Sequence, residues 1–358
     1  MSRKIHNFSA GPAVLPPEVL EKAAAAVREF DGMGLSLLEI SHRSKNFERV
    51  MEEARALALS LAGLDDRYDA LFLQGGASLQ FHQVPLNLLR PEGKAGYVIT
   101  GEWATRAHRE ASILGNTVVV ASSEEGRFSY IPKNYPIPED LDYLHLTSNN
   151  TIYGTQYHSF PEAPVPLVCD MSSDIFSRPV DFSRFALVYA GAQKNIGPAG
   201  VTLVILRKDI VGRSGRRLPV ILDYATHIKH GSMYNTPSVF AVYVTKLTLE
   251  WIRDNGGLAG MERRNREKQQ LFYSTLDQCT IFEGTARPED RSWMNATFVL
   301  RRPELQEEFE NLLKEGGISQ LKGHRSVGGY RASMYNALPI ESVKALTDIM
   351  LYLNSKYA

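Results

Sequence analysis

The chain has 358 residues, 44% of them apolar and 22% charged, the make-up of a globular protein with room for about two domains. Forty basic side chains balance forty acidic ones, so no overall field favours nucleic acid or an anionic membrane, and anion chemistry must come from local clusters. Cys169 and Cys279 are the only cysteines and the nine histidines form no HxxxH or HxH pair, which argues against a disulfide framework and a metal site.

The opening thirty residues are interrupted by Gly11, Pro12, Pro16 and Pro17 and lack the unbroken apolar stretch of a signal peptide. No run of about 18 apolar residues follows anywhere, so the expectation is a soluble cytoplasmic protein without a membrane span. From Tyr68 to about Leu206, short apolar runs alternate with helix-like stretches. "DALFL" precedes "QGGASLQFHQVPLNLL" and "GYVIT" precedes "GEWATRAHREASILG"; then come "TVVVA", "LDYLHLT", "VPLVCD", "ALVYA" and "GVTLVIL". Apolar runs of this length separated by crossovers predict a mainly parallel, doubly covered sheet. The short turn between "ALVYA" and "GVTLVIL" predicts an antiparallel last pair.

Beyond Pro237 the pattern becomes helical, with Val239, Val242, Leu247 and Trp251 on one face before a glycine pair. The remaining hundred or so residues mix helix ("PELQEEFENLLKEGG") with short strands ("NATFVL", "GYRASMY"). The expected fold class is therefore α/β, with a large sheet domain over 16–255 and a smaller α/β domain over 256–358. The segment 1–15 is expected to pack alongside one of them.

In an α/β sheet, ligands bind at the carboxyl ends of the strands. "QGGAS" follows the first run, so Gly75 and Gly76 bend the backbone while Ala77 and Ser78 open a helix whose free amides suit a phosphate. Trp103 offers a stacking face after "GYVIT", and Thr151 a hydroxyl after "LDYLHLTSNN". Asp170 ends a buried run, where a carboxylate needs a cation or donors. Thr236 and Pro237 occupy N-cap and first-turn positions of a further helix.

Lys194, in "YAGAQKNIGPAG", has no charged neighbour within five residues, and Gly197, Pro198 and Gly200 shape the bend around it. A lysine held away from water loses its proton more easily and becomes an amine nucleophile. Each feature alone has an ordinary structural use. Together they supply a phosphate cradle, a stacking face, a carboxylate and an amine, the parts list for pyridoxal phosphate bound to a lysine. Basic clusters at His42–Arg43 and at His324, Arg325 and Arg331 add anchors for anionic substrates.

The chain also resembles a known family along nearly its whole length. "NFSAGPAVLP", "EISHRSKNF", "LFLQGGASLQF", "VITGEWATRA", "DMSSDIFSRP", "AGAQKNIGPAG", "NTPSVFAVY" and "GHRSVGGYRASMYNALP" are similar, in order, to motifs of the phosphoserine aminotransferases, pyridoxal phosphate enzymes of fold type I. The resemblance implies a seven-stranded-type sheet and a homodimer with active sites shared between subunits. It implies amino transfer from L-glutamate to 3-phosphooxypyruvate, giving O-phospho-L-serine in serine biosynthesis, with a four-carbon analogue in pyridoxine synthesis as a second use. Matched by motif, Lys194 resembles the Schiff-base lysine, Asp170 the partner of the pyridine nitrogen and Trp103 the stacking residue. Ala77, Ser78, Thr151 and Gln193 resemble cofactor contacts. Asn235 and Thr236 resemble residues that reach the cofactor phosphate from the other subunit. Arg43 and Arg331 resemble substrate anchors, helped by His42, His324 and Arg325. Ser78 stands where some members carry arginine, so another group must serve in its place.

The rival readings are another fold-type I transaminase, such as an alanine–glyoxylate aminotransferase, and a non-catalytic protein that keeps the fold. A desulfurase is disfavoured because Cys169 sits in a strand and Cys279 lacks electropositive company.

Overall fold

The computed structural model describes residues 5–358, so the first four residues of the 1–15 segment lie outside the described part. Seven strands build the main sheet: β1 (Tyr68–Leu73), β2 (Lys94–Ile99), β3 (Asn116–Ser122), β4 (Tyr143–Thr147), β5 (Leu167–Asp170), β6 (Phe185–Gly191) and β7 (Thr202–Arg207). Their order is β1-β7-β6-β5-β4-β2-β3. The pairs among β2 to β6 are parallel, and β7 runs antiparallel to both β6 and β1.

Side-chain alternation along the strands sends neighbouring residues to opposite layers. Ala70 and Phe72 join one core while Leu71 and Leu73 join the other, and Val98 faces away from Tyr97 and Ile99 in the same manner. The first layer is closed by α1 (Pro17–Arg28), α2 (Lys45–Ala62) and α6 (Val239–Asp254). The second is closed by α3 (Gly76–Leu88), α4 (Glu102–Ser112) and the short α5 (Tyr224–Lys229). In α2 the buried residues Phe47, Val50, Met51, Ala54 and Ala58 recur at helical spacing. Ser44 caps its start, accepting from the Phe47 amide, and Gly63 closes it in the left-handed conformation.

After α7 (Gly257–Gln278), a three-stranded antiparallel sheet forms from β8 (Phe282–Gly284), β9 (Asn295–Leu300) and β10 (Tyr330–Ser333). It shares a separate hydrophobic core with α7, α8 (Gln306–Glu315) and α9 (Ile340–Tyr357). The N-terminal segment does not choose one side. His6 and Asn7 pair in parallel with Ile318 and Ser319, and Phe8 enters the smaller core, while Leu15 packs on the larger one. Among the described residues no helix is long and apolar enough to cross a membrane.

One expectation needs correcting. Thr236 and Pro237 are not the cap and first residue of α6, which begins two residues later with Ser238 at the N-cap. The backbone has not yet turned at Ser238 (ψ 78°), and the first helical bond runs from the Val242 amide to the Ser238 carbonyl. Thr236 is thereby left exposed in the approach to the helix.

Candidate active site

The parallel strands deliver their carboxyl ends to one edge of the sheet, and the residues that follow them converge there. β6 runs into the bend that carries Lys194. The bend is held from below by the antiparallel return of β7, and from above by the N-terminal segment, whose Ala13 amide donates to the Gln193 carbonyl at 2.9 Å. Gly11 passes so close that a Cβ there would lie 3.4 Å from Lys194 Cγ and 3.5 Å from Gln193 Cγ.

Lys194 Nζ donates to Thr151 Oγ1 at 3.0 Å, and lies 5.9 Å from the centre of the Trp103 ring. Burial lowers its pKa to about 8; the Asp170 carboxylate opposes that shift, and the Arg331 guanidinium reinforces it. Thr151 is shared: its carbonyl accepts from Arg331 Nη1 at 3.3 Å. One threonine thus spaces the amine from the guanidinium.

Asp170, at the end of β5, is 5% exposed and forms no salt bridge with any described residue. Its Oδ1 accepts from the Ser172 amide at 2.9 Å. Burial raises its pKa, against the pull of the Ser172 hydrogen bonds and the Lys194 charge. A second buried carboxylate, Asp174, accepts from the Ser148 hydroxyl and from Gln156 Nε2 (3.0 Å). Residue-by-residue reading of the sequence missed this network around Asp170. Its signal was the polar run "DMSSD" directly after a buried strand.

Trp103 sits in the first turn of α4, packed against the second core, with its indole Nε1 buried and unpartnered. Ala77 and Ser78 lie in the first turn of α3, after Gly75 (φ 95°) and Gly76 (φ 66°). Asn235 reaches the same corner, donating to Gln74 Oε1 at 3.0 Å, beside a cavity of about 300 Å3 lined by Gly75, Leu79 and Pro237. His324 is half-buried, with Nδ1 2.7 Å from Ser326 Oγ; burial and the Arg331 and Arg325 charges lower its pKa. Arg325 and Arg43 are exposed, and among the described residues no hydrogen bond or ion pair joins His42 or Arg43 to Lys194, Asp170 or Arg331. Lys194, Asp170, Thr151, Gln193, Trp103 and Arg331 therefore come together within one chain, Ala77, Ser78 and Asn235 border them, and His42, Arg43 and Thr236 stand apart.

The model of the aminotransferase class-V family matches residues 5–346. The chain belongs to the class-V aminotransferases. It is 59% identical over 354 residues to the phosphoserine aminotransferase of Flavobacterium johnsoniae, covering 99% of each chain. Among solved structures it is similar to the phosphoserine aminotransferase of Bacillus circulans subsp. alkalophilus, with a TM-score of 0.96 and 47% identity over the whole of both chains. It is also similar to a PLP-bound phosphoserine aminotransferase from Trichomonas vaginalis, with a TM-score of 0.92 and 36% identity over 97% of this chain and 100% of that one. These class-V aminotransferases share its arrangement of large sheet and smaller α/β unit at full length.

The residues present fit pyridoxal phosphate. Lys194 supplies an amine that sheds its proton more readily than a free lysine, and, among the described residues, Asp170 supplies a carboxylate without a salt-bridge partner and Trp103 a buried indole without a hydrogen-bond partner. The start of α3 presents free amides suited to a phosphate.

Proposed function

We propose that this class-V aminotransferase moves an amino group between L-glutamate and 3-phosphooxypyruvate, giving O-phospho-L-serine and 2-oxoglutarate. The observation that carries the reading is the Lys194 amine, depressed to about 8, held through Thr151 beside Arg331 and under the influence of Asp170. Pyridoxal phosphate, when bound, serves as an electron sink for the substrate's α-carbon.

The chain's own residues do the rest. Lys194 is the group that takes the proton from the amino donor's α-carbon and, in the reverse half-reaction, delivers one to the α-carbon of the keto acid, because its pKa lies near working pH and its neighbour Thr151 is neutral. Asp170, buried and without a salt bridge among the described residues, would serve as the partner of the cofactor's ring nitrogen, where a cationic N–H would compensate its carboxylate. Trp103 and Gln193 would be the residues that hold the cofactor's ring beside Lys194. The amides of Ala77 and Ser78 would hold the cofactor phosphate, with Asn235 and Thr236 reaching it from a second copy of the chain. Arg331 receives the substrate carboxylate by its planar fork. Arg43 and Arg325 supply the positive charge for the substrate phosphate, with His42 and His324 as hydrogen-bonding helpers, in place of an arginine at Ser78.

The same reading includes a homodimer. His42 and Arg43 lie a few residues after the exposed apolar side chains Met33, Leu35 and Leu38, so the segment, anchored to the core through Leu37 and Ile40, presents an apolar surface suited to a second copy. It also includes two domains, 16–255 and 256–358, supported by the separate cores, and a cytoplasmic setting, which the two free, buried cysteines suit.

The test is spectroscopic. The purified protein is expected to absorb near the visible edge; L-glutamate alone should bleach the band, and 3-phosphooxypyruvate should restore it. Lys194→Ala should lose turnover by at least about 10⁴-fold, since both acid–base and covalent roles go with the amine. Full activity in that variant, or a band that glutamate leaves unchanged, would sink the assignment.

A further inference from the structure

Lys194 is followed by Asn195, which is 4% exposed. Its Oδ1 accepts from the backbone amide of Asn336 at 3.0 Å, and its Nδ2 donates to the Ser173 carbonyl at 3.3 Å. Asn336 is fully buried and uses every polar group it has. Its Nδ2 donates to the Phe176 carbonyl at 3.1 Å, its Oδ1 accepts from Asn265 Nδ2 at 2.8 Å, and its carbonyl accepts from Arg264 Nε at 3.1 Å. The two residues before it are held as firmly. Buried Lys268 donates to the carbonyls of Met334 (2.9 Å) and Tyr335 (2.6 Å), and the Tyr335 hydroxyl donates to the Ala10 carbonyl at 2.9 Å.

This segment continues directly from β10, the strand that carries Arg331. Asn195, Phe176 and Ser173 belong to the large-sheet side, whereas Asn265 and Lys268 belong to the helix of the smaller core. A dry apolar seam would join the two halves with less risk, because a buried amide that loses its partner is strongly unfavourable. What amides add to a seam is fixed direction and distance.

We propose that Asn195 and Asn336 are a positioning pair for the transamination, locking the lysine bend to the segment that follows the Arg331 strand and so setting the reach from the Lys194 amine to a substrate held by its carboxylate. The proposal rests on the roles given above to Lys194 and Arg331. Neither asparagine is required to touch substrate or cofactor; both act through their chain neighbours. Thr151 spaces the amine from the guanidinium directly, and the asparagine pair fixes the two backbones that carry them. Both halves of the reaction use the same amine and the same carboxylate anchor, so both should suffer equally when the tie is cut.

The experiment compares holoenzyme of wild type, Asn195→Ala, Asn195→Ser and a control, Asn87→Ala. Asn87 is equally buried and hydrogen-bonded, to the Gln83 and Leu222 carbonyls, but lies far along α3 from the bend. Single-turnover rates with glutamate and with the phosphorylated keto acid are measured beside thermal midpoint and amide hydrogen exchange of the Met334–Asn336 region. The Asn195 variants should slow both half-reactions by a common factor of about 10–100, the size expected for a misplacement of about an ångström. Exchange at Met334–Asn336 should quicken by about tenfold or more. Asn87→Ala should lower the midpoint comparably while its rates stay within about twofold of wild type. Unchanged rates in a folded Asn195 variant, unequal slowing of the two halves, or unchanged exchange would overturn the proposal. The serine variant guards against a failure of the alanine variant to fold. The exchange arm, repeated without cofactor, judges the tie even if the chemistry assigned to Lys194 fails.

Discussion

Lys194 gains one hydrogen bond and loses most of its water, and the balance lies against the ammonium. Its pKa falls from 10.5 to about 8, with burial the first cause. Between those values the unfolded chain holds a proton that the folded one has released, so the stability of the cofactor-free protein should rise with pH through this window. Below pH 8 both forms are protonated and the full cost of the buried charge is present. Lys194→Met should therefore stabilise the cofactor-free protein at pH 7 by up to about 3 kcal/mol, with the gain shrinking as pH rises from 8 to 10.5. Denaturant unfolding at several pH values checks it, and a gain that does not depend on pH would show that packing, not charge, is responsible. The isolation of this lysine was legible from its neighbours alone. Asp174 was not, because nothing in "DMSSD" says which of two carboxylates turns toward the lysine and which toward Ser148 and Gln156.

At the scale of elements, the turn between β1 and α3 concentrates its demands on one glycine. Gly75 has φ 95° and a Cβ there would lie 2.6 Å from the Leu79 side chain, whereas Gly76 has φ 66° with open space around it. Gly75→Ala should cost about 1–3 kcal/mol and weaken cofactor retention by re-aiming the amides of the first turn; Gly76→Ala should cost about 1 kcal/mol. Equal losses in the two variants, read by denaturant unfolding and cofactor release, would count against this account. At the other helix end the chain declares itself less openly. "NTPS" reads as cap followed by first turn, yet α6 starts after Ser238, whose ψ of 78° is not helical, and the preceding Asn235 donates to Gln74 instead. Local preference gave way there to a tertiary contact. The strands were the most legible elements, since runs such as "ALVYA" are buried on both faces and admit few other readings.

For the molecule as a whole, the mainly parallel sheet and the reversal at β7 could be read from run spacing, but the strand order and the seam of buried amides between its two cores could not, because asparagines far apart in the chain meet only in the fold. The half-buried His42 and exposed Arg43 pose a question at this scale too. If they complete the site of a second copy, a subunit carrying Lys194→Ala and one carrying Arg43→Ala are each inactive alone, yet their mixture contains hybrids with one intact site. Refolding the two together in equal amounts should restore about a quarter of wild-type activity, the share expected for random pairing in a two-fold dimer. No recovery in a mixture shown to contain hybrids would place Arg43 at its own chain's site. The pairing of His6 and Asn7 with Ile318 and Ser319 has a consequence for biosynthesis. A ribosome releases the first partner of that ladder long before the second, and the polypeptide that roofs the lysine bend belongs to the early end. Nascent chains can complete the seven-stranded sheet while that roof still waits for its anchor, so the reactive amine gains its full enclosure only after Ile318 and Ser319 have left the ribosome.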